Sequence, residues 1–405
     1  MRPRRQCRWR LAVQLLVTLM ALGGAGKTVG GPPAASGGNR PTVSVTEALG
    51  GSESARFRRA YAPRAFNFPD DHGPHPDFRT EWWYFTGNLT DGDGRRFGFQ
   101  LTFFRFALAP EQTPPAETST VEKRASAWGT RQVYMAHFAL TDASGKRFQA
   151  VERFSRDALG LAGAQAKPFR VWLEDWRAEG DVSGPGALEL AARTQSMGIE
   201  LTLQGGKPLV LHGDQGLSRK SMEPGNASYY YSRTRVPATG RLWIGGRTYE
   251  VTGQAWLDRE WSTSALGSGQ AGWDWFALQL GDGRELMFYQ LRRKDGAADP
   301  MSAGTLVSAD GKARGLTARD VQIRVTEHWK SPVDGALYPA AWQVDVPGEG
   351  IALAVSPLLD NQELDLSVRY WEGAVQVHRR GSAKQSAGWG YVELTGYADA
   401  GKSEK

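Results

Sequence analysis

An aromatic hairpin that occurs twice constrains this sequence more than any other feature. Residues 82–92 (WWYFTGNLTDG) can be laid over residues 273–283 (WDWFALQLGDG) at a shift of 191, so that aromatics, a leucine and an Asp-Gly turn coincide. Past the turn, residues 99–101 match residues 289–291 at a shift of 190. Chance similarity between aromatic hairpins is the alternative, but duplication of a β-barrel domain explains the spacing better.

Short strand signals fill the rest of the chain. Asp-Gly turns recur at residues 91, 282, 310 and 334, and alternating apolar segments lie between them. Long helical periodicity is almost absent, and residues 151–161 could at most hold a short helix. Many short strands with such turns predict barrels or sandwiches.

The first 26 residues have the three parts of a secretory signal peptide. Five arginines precede an apolar stretch at residues 11–22, and small residues follow it as candidate cleavage sites. Removing this segment lowers the formal net charge from +6 to +1, because it holds five arginines and no acidic residue. We therefore expect a periplasmic or secreted protein and no nucleic-acid partner.

The only cysteine, Cys7, lies in this leader, so the mature protein must be held by burial and not by disulfides. The 15 tryptophans could supply the cores, yet their clustering in a few short motifs exceeds what two cores need. A wide apolar cavity, or an apolar interface between two barrels, would use the excess.

Four motifs make the sequence similar to a known family. They are residues 68–75 (FPDDHGPH), 81–87 (EWWYFTG), 255–262 (AWLDREWS) and 272–276 (GWDWF). Together they resemble the AttH/carotenoid 1,2-hydratase (hydroxyneurosporene synthase) family, with similarity over residues 60–395.

The resemblance implies an all-β fold of two tandem lipocalin-like (calycin) antiparallel β-barrel domains. With it, the chain divides into a signal peptide (1–26), a flexible linker (27–58), an N-terminal domain (59–236), a C-terminal domain (237–398) and a tail (399–405). The family includes hydratases that add water to a terminal isoprenoid double bond. Its hydratase branch carries histidine where this chain has Arg259, and arginine cannot transfer a proton, which argues against carotenoid hydration itself.

Acid-assisted hydration needs a protonated carboxyl in apolar surroundings and aromatic faces to stabilise a cation. The candidate acids or bases are Asp258, Glu260 and Glu81, each of which lies within two residues of a tryptophan in the sequence. Structural ion pairing or turn capping is the alternative for each. Candidate ligand-binding residues follow the same logic: Trp82, Tyr84, His137, Trp261, Trp273, Asp274 and Trp275.

Strand alternation limits this set. Asp258 and Glu260 share one face of a regular strand, and Arg259 and Trp261 share the other, so all four cannot line one cavity. His137 lies in an apolar strand, where a hydrogen-bonded core histidine is the alternative to a cavity residue.

No cofactor and no metal site are predicted. His72 and His75 have a spacing compatible with a metal, but the glycine and prolines around them favour a rigid loop that closes a barrel. Residues 267–272 match G-x-G-x-x-G but lead into a strand and not a helix, and no G-x-S-x-G, H-E-x-x-H or P-loop motif is present.

Two functions remain from these observations. The first is an exported enzyme that hydrates or isomerises a C=C bond of a hydrophobic isoprenoid or lipid substrate. The second is a non-catalytic carrier of lipophilic molecules in the bacterial envelope, or an accessory component of a transport system. Membrane-surface association and the oligomeric state stay open.

Overall fold

The computed structural model describes residues 43–44, 56–110, 129–264, 266–381 and 386–398. The predicted signal peptide, most of the linker, most of the polar loop at 110–126 and the tail from residue 399 lie outside these residues. Within the described part, no helix is both long and apolar enough to cross a membrane.

Two sheets, antiparallel except for one short parallel pair between residues 43–44 and residues 368–369, make up most of the described chain, which confirms the all-β prediction. The first sheet is a nearly closed barrel and the second a half-barrel, which matches two tandem barrel domains. The first contains β2 (Thr80–Asp91), β3 (Arg96–Ala107), β4 (Gln132–Asp142), β5 (Arg147–Arg156), β6 (Ala162–Ala166), β7 (Phe169–Leu173), β8 (Trp176–Gly180), β9 (Ala187–Arg193), β10 (Met197–Gln204), β11 (Val210–Leu211), β12 (Leu217–Arg219), β13 (Ala227–Ile244) and β14 (Arg247–Ser262).

After β14, seven residues lead to the next strand, which belongs to the second sheet; that sheet also includes one short strand from the N-terminal segment. Its strands are β1 (Val43–Ser44), β15 (Gln270–Leu280), β16 (Glu285–Arg293), β17 (Ala303–Val307), β18 (Ala313–Thr317), β19 (Gln322–Lys330), β20 (Leu337–Val346), β21 (Ile351–Pro357), β22 (Glu363–Asp365), β23 (Val368–Arg379) and β24 (Ser386–Leu394). Two 3-10 turns complete the described elements, Asp70–His72 and Pro347–Glu349.

The predicted domain boundary at 236/237 falls within β13, which belongs to the first sheet as a whole. The change of sheet lies between Ser262 and Gln270. The predicted short helix at 151–161 is wrong, because residues 147–156 form β5 and pair with β4 over their whole length.

The two sheets have the same strand order. The first reads β5-β4-β3-β2-β14-β13-β10-β9 along its main path, and the second reads β18-β17-β16-β15-β24-β23-β21-β20. The predicted repeat of the aromatic strand therefore places β2 on β15, and β14 and β13 then correspond to β24 and β23.

The second half of the predicted repeat is in a different register. Asn88 pairs with Gly98 in the first hairpin, and Gln279 pairs with Glu285 in the second, so the shift changes from 191 to 187 after the turn. The predicted match at a shift of 190 is therefore wrong by three residues. Because three is an odd number, the error places each side chain on the opposite face of its strand. Phe99 accordingly faces a barrel core, whereas Tyr289 faces the other sheet.

Each sheet encloses its own apolar core, formed by alternate residues of its strands. The aromatic strand β2 contributes Trp83, Phe85 and Leu89 to the first core, and β15 contributes Phe276 and Leu280 to the second. The remaining alternate residues of these strands point away from the cores. They pack in a third cluster, in which residues of the two sheets meet.

Candidate active site

A cavity of about 110 Å³ lies between the outer faces of the two sheets, outside both barrel cores. Of the predicted site residues, seven line it: Trp82, Tyr84, His137, Asp258, Glu260, Trp273 and Trp275. Three do not: Glu81, Trp261 and Asp274. The aromatic residues beyond those of the two cores thus form an interface between the barrels, and this interface contains a cavity. An apolar interface between the barrels is one of the two arrangements that the sequence predicts for them.

The first sheet forms one wall of the cavity. Antiparallel pairing brings residues from β4, β3, β2, β14 and β13 side by side on one face, in two neighbouring rows. The rows are Met135, Phe104, Trp82, Glu260 and Tyr230, and then His137, Thr102, Tyr84, Asp258 and Ser232.

Asp258 is the centre of a buried hydrogen-bond network. Its carboxyl accepts hydrogen bonds from Ser232 Oγ, from Trp256 Nε1 at 2.6 Å and from Tyr230 OH at 2.6 Å. Burial raises the pKa of Asp258 to about 7, although these three donors act in the opposite direction. A carboxyl of this kind exchanges a proton readily near neutral pH.

The network around Asp258 extends into the second sheet. Trp275 Nε1 donates to Tyr230 OH at 3.2 Å, and His212 lies between Ser232 and Thr305, with ring nitrogens 2.6 and 2.8 Å from the two hydroxyl oxygens. Burial lowers the pKa of His212 to about 3, so its ring is neutral. It can therefore donate one hydrogen bond and accept another without bringing a charge into the network.

Two carboxyls from the second sheet stand beside this network. Glu393 lines the cavity, and its Oε1 accepts a hydrogen bond from Trp273 Nε1 at 2.7 Å. Glu372 is its direct partner on β23 and accepts a hydrogen bond from Tyr84 OH at 2.5 Å. Burial raises the pKa of Glu393 to about 7 and the pKa of Glu372 well above its usual range, and the charge of Glu393 adds to the second effect.

Glu260 has a different environment from Asp258 although the two share a wall. Its carboxylate lies 3.1 Å from Lys220 Nζ, and this ammonium group also lies 4.2 Å from the ring centre of Tyr289. Burial alone would lower the pKa of Lys220, but the nearby acidic groups, led by the carboxylate of Glu260, together have the larger effect, so the pKa of Lys220 is raised. This ion pair therefore gives one part of the cavity a polar lining.

Glu81 lies inside the first barrel and not in the cavity. It is fully buried and forms ion pairs with the guanidinium groups of Arg105 and Arg259. Burial opposes ionisation, but the two arginines hold the pKa of Glu81 well below its usual range. At neutral pH Glu81 is thus a charged partner of two buried cations and not a protonated acid.

The loop with His72 and His75 packs against this charge cluster. His75 stacks on Trp261 at 3.8 Å between ring centres, and its backbone N–H donates to Glu81 at 2.9 Å. His72 is buried and hydrogen-bonded to Tyr231 OH at 2.6 Å. These contacts agree with a loop that closes the first barrel, and they account for Trp261 as a core residue.

Asp274 is the counterpart of Trp83 at the shift of 191 and faces inward in the same way. Arg292 Nε donates to it at 2.9 Å and Tyr397 OH at 3.0 Å. Burial raises the pKa of Asp274, and Arg292 opposes the rise. The odd spacing from Trp273 and Trp275 puts Asp274 on the face away from the cavity.

His137 lines the cavity in a neutral form. Its Nδ1 lies 2.8 Å from Tyr370 OH, and burial lowers the pKa of His137 to about 3. Its Nε2 has no hydrogen-bond partner within the described chain, and the nearest carboxylate, that of Glu152, is 3.9 Å away. The imidazole is therefore a neutral hydrogen-bonding group at this wall of the cavity.

Sequence reasoning missed several polar residues of this region, among them Lys220, Tyr230, Glu372 and Glu393. The signal that could have found Glu393 is structural: it is the strand partner of Trp275 just as Asp258 is the strand partner of Tyr84. That signal needs the strand pairing, which the sequence does not contain.

Known proteins resemble this chain over most of its length. The chain is similar to the crystal structure of an AttH protein from Nitrosomonas europaea at 36% identity, with a TM-score of 0.72, over 83% of this chain and 99% of that one. Kievitone hydratase from Nectria haematococca shares the fold, with a TM-score of 0.59 at 12% identity over 84% of this chain and 96% of that one.

A sequence relative is the kievitone hydratase of Fusarium solani subsp. phaseoli, 25% identical over 142 residues, or 34% of this chain. The match spans about two fifths (39%) of that protein's length. The AttH-like family pattern covers residues 59–397 of this chain. Because that range includes strands β2 to β24 and every residue of the cavity wall, the chain belongs to the AttH-like family.

Proposed function

We propose that this protein is a hydro-lyase-like enzyme that adds water to a C=C bond of a hydrophobic substrate held between the two sheets. The observation that carries the proposal is Asp258, a buried carboxyl that faces an aromatic cavity and has its pKa raised to about 7. A protonated carboxyl in an apolar site is the acid that such a reaction requires.

The proposed step begins with transfer of the Asp258 proton to one carbon of the double bond. The second carbon becomes cationic, and the ring faces of Trp82 and Trp275 at the cavity stabilise it. Water then adds at this carbon and releases a proton, which completes hydration. Loss of a proton from a neighbouring carbon gives isomerisation instead.

Substrate class and location are further parts of the proposal. An isoprenoid or lipid suits a cavity lined mainly by aromatic and aliphatic side chains. The basic, apolar and small-residue segments of residues 1–26 support export to the periplasm or beyond. The kievitone hydratase relative supports hydration as the reaction class, and its name supplies kievitone as a first test compound.

The test is incubation of the purified protein with kievitone and, separately, with the isoprenoid alcohol farnesol, in water enriched in the heavy oxygen isotope. We expect at least one product that has gained one labelled water, detected by mass spectrometry. Heat-unfolded protein is the control and should give none.

Quenching of tryptophan fluorescence separates the enzyme from the carrier. Quenching by farnesol without any labelled or isomerised product would support the carrier, whose basis is the same apolar cavity lining. Absence of both quenching and product with every apolar probe would refute both functions.

A further inference from the structure

Glu393 has the place in the second sheet that Asp258 has in the first. The shift of 191 lays Tyr84 on Trp275, and the antiparallel partners of these two aromatics are Asp258 and Glu393. Both partners lie on strands that follow the aromatic strand in the shared strand order, β14 and β24. The duplicated fold therefore brings one carboxyl from each sheet to a single cavity.

The two aromatics connect the carboxyl clusters across the interface. Tyr84 is the strand partner of Asp258, and its hydroxyl donates a hydrogen bond to Glu372, which lies next to Glu393. In the opposite direction, Trp275, the neighbour of Glu393, donates to Tyr230, which in turn donates to Asp258. Each carboxyl cluster is thus held in part by a side chain from the other sheet.

The hydrogen bonds of the two carboxyls differ in a way that suits different tasks. Both oxygens of Asp258 are engaged, by three donors in total. Glu393 accepts a single hydrogen bond, at Oε1, and its Oε2 has no partner among the residues the structure describes. Because Glu393 also lines the cavity and is not completely buried, we take Oε2 as available to a water or a substrate.

We infer that Glu393 is a second catalytic carboxyl, which accepts the proton of the water that adds to the double bond while Asp258 supplies the proton to carbon. The inference rests on the proposed function. Asp258 breaks its O–H bond as a C–H bond forms, the water oxygen bonds to the cationic carbon, and the O–H proton of that water moves to Glu393 Oε2. The cycle closes when the proton on Glu393 exchanges with solvent and Asp258 is protonated again.

The electrostatics of the cavity agree with this division. Burial raises the pKa of Glu393, and the charges of Asp258 and Glu260 add to the rise, so ionisation of one cavity carboxyl disfavours ionisation of the next. When carboxyls are coupled in this manner, some of them stay protonated while others are ionised. Near neutral pH the cavity therefore contains one protonated carboxyl that can act as an acid and one carboxylate that can act as a base. The alternative role for Glu393 is purely structural, as the acceptor for Trp273.

The experiment compares wild type with Glu393→Gln, which keeps the oxygen that accepts from Trp273, and with the exposed control Glu250→Gln. Farnesol and kievitone are the probes. We expect Glu393→Gln to lower turnover by about 10²- to 10⁴-fold, the usual range for a lost general base. We also expect the decrease of the wild-type rate below pH 7 to disappear in this variant and to persist in Glu250→Gln.

A second variant separates catalysis from structure. Glu393→Ala opens space at the cavity, so formate added to the buffer should restore turnover about tenfold or more if the missing group is a base. A structural acceptor for Trp273 would not be replaced in this way. Turnover by Glu393→Gln within threefold of wild type, or an unchanged acidic limb of its pH profile, would overturn the inference.

Failure of the inference differs from failure of the proposed function. If wild type gives no labelled product with any probe, the proposed function fails, and the assignment of Glu393 fails with it. If wild type turns over and Glu393→Gln does so equally well, only the assignment of Glu393 fails. Infrared titration of the protein alone adds a check without substrate: the protonated-carboxyl absorption that titrates near pH 7 should lose the contribution of one carboxyl in Glu393→Gln, keep that of Asp258, and be unchanged in Glu250→Gln.

Discussion

Glu81→Gln is expected to lower the free energy of unfolding by about 3–5 kcal/mol, because it leaves two buried guanidinium groups without their counter-charge. Glutamine has nearly the same shape as glutamate, so the loss comes from charge and not from a cavity. Arg105 and Arg259 are each about 1% exposed and cannot recover this interaction from solvent. Urea unfolding at neutral pH measures the difference.

The pH dependence of this loss has a defined sign. The pKa of Glu81 is lower in the folded than in the unfolded protein, so its ionisation stabilises the fold above the unfolded value of about 4.3. That contribution is lost as the pH falls through the folded pKa. The difference between wild type and Glu81→Gln should therefore decrease below about pH 4.

Glu200→Gln is the matched control for Glu81→Gln. Glu200 pairs with Arg241 at 2.7 Å on the same sheet, but both side chains are about half exposed, at 48% and 55%. A surface pair of this kind contributes about 0–1 kcal/mol, so the control should unfold almost as wild type does. If Glu81→Gln instead left stability unchanged and abolished turnover, Glu81 would be a catalytic acid, as the sequence alone suggests.

The case of Glu81 shows which information the sequence lacks. Its neighbours Trp82 and Trp83 predict apolar surroundings, and the side chain is indeed buried. Its two cationic partners lie 24 and 178 residues away along the chain, and their approach depends on the closure of the barrel. Local sequence identified a buried carboxyl correctly but could not distinguish a protonated acid from an ionised partner of arginine.

Strand periodicity was informative about faces. It predicted that Asp258 and Glu260 lie on one face and Arg259 and Trp261 on the other, and the structure confirms this separation. Periodicity cannot say which face is the inside of a barrel, because both faces of these strands are buried and each carries aromatic and charged side chains. The position of the cavity between the barrels therefore required the packing of the two sheets.

Glu393 and Glu372 were missed for a related reason. Neither lies in a motif, and their link to the aromatic strand is made by pairing between β15, β24 and β23. The repeat was visible only in the hairpin, and its second strand was matched in the wrong register. When a site takes residues from both copies of a duplicated fold, the motif of one copy identifies only the residues that this copy contributes.

Asp258→Asn is expected to lower turnover of whichever probe is hydrated by about 10²- to 10⁴-fold, because asparagine has no proton to give to carbon. Asparagine keeps an acceptor oxygen for Ser232 and Trp256, so the cavity should retain its shape. Quenching of tryptophan fluorescence by farnesol should then be within a few-fold of wild type. Kinetics and quenching measured on one preparation separate loss of chemistry from loss of binding.

The pH profile assigns this effect to the proton of Asp258. Burial raises the pKa of Asp258 to about 7, and the acid is active only when protonated, so the wild-type rate should decrease about tenfold per pH unit above that value. The exposed Asp295→Asn variant should retain both the rate and this alkaline limb. Undiminished turnover in Asp258→Asn would exclude Asp258 as the acid. An alkaline limb tied to Asp258 and an acidic limb tied to Glu393 would mean that each repeat supplies one half of the proton transfer.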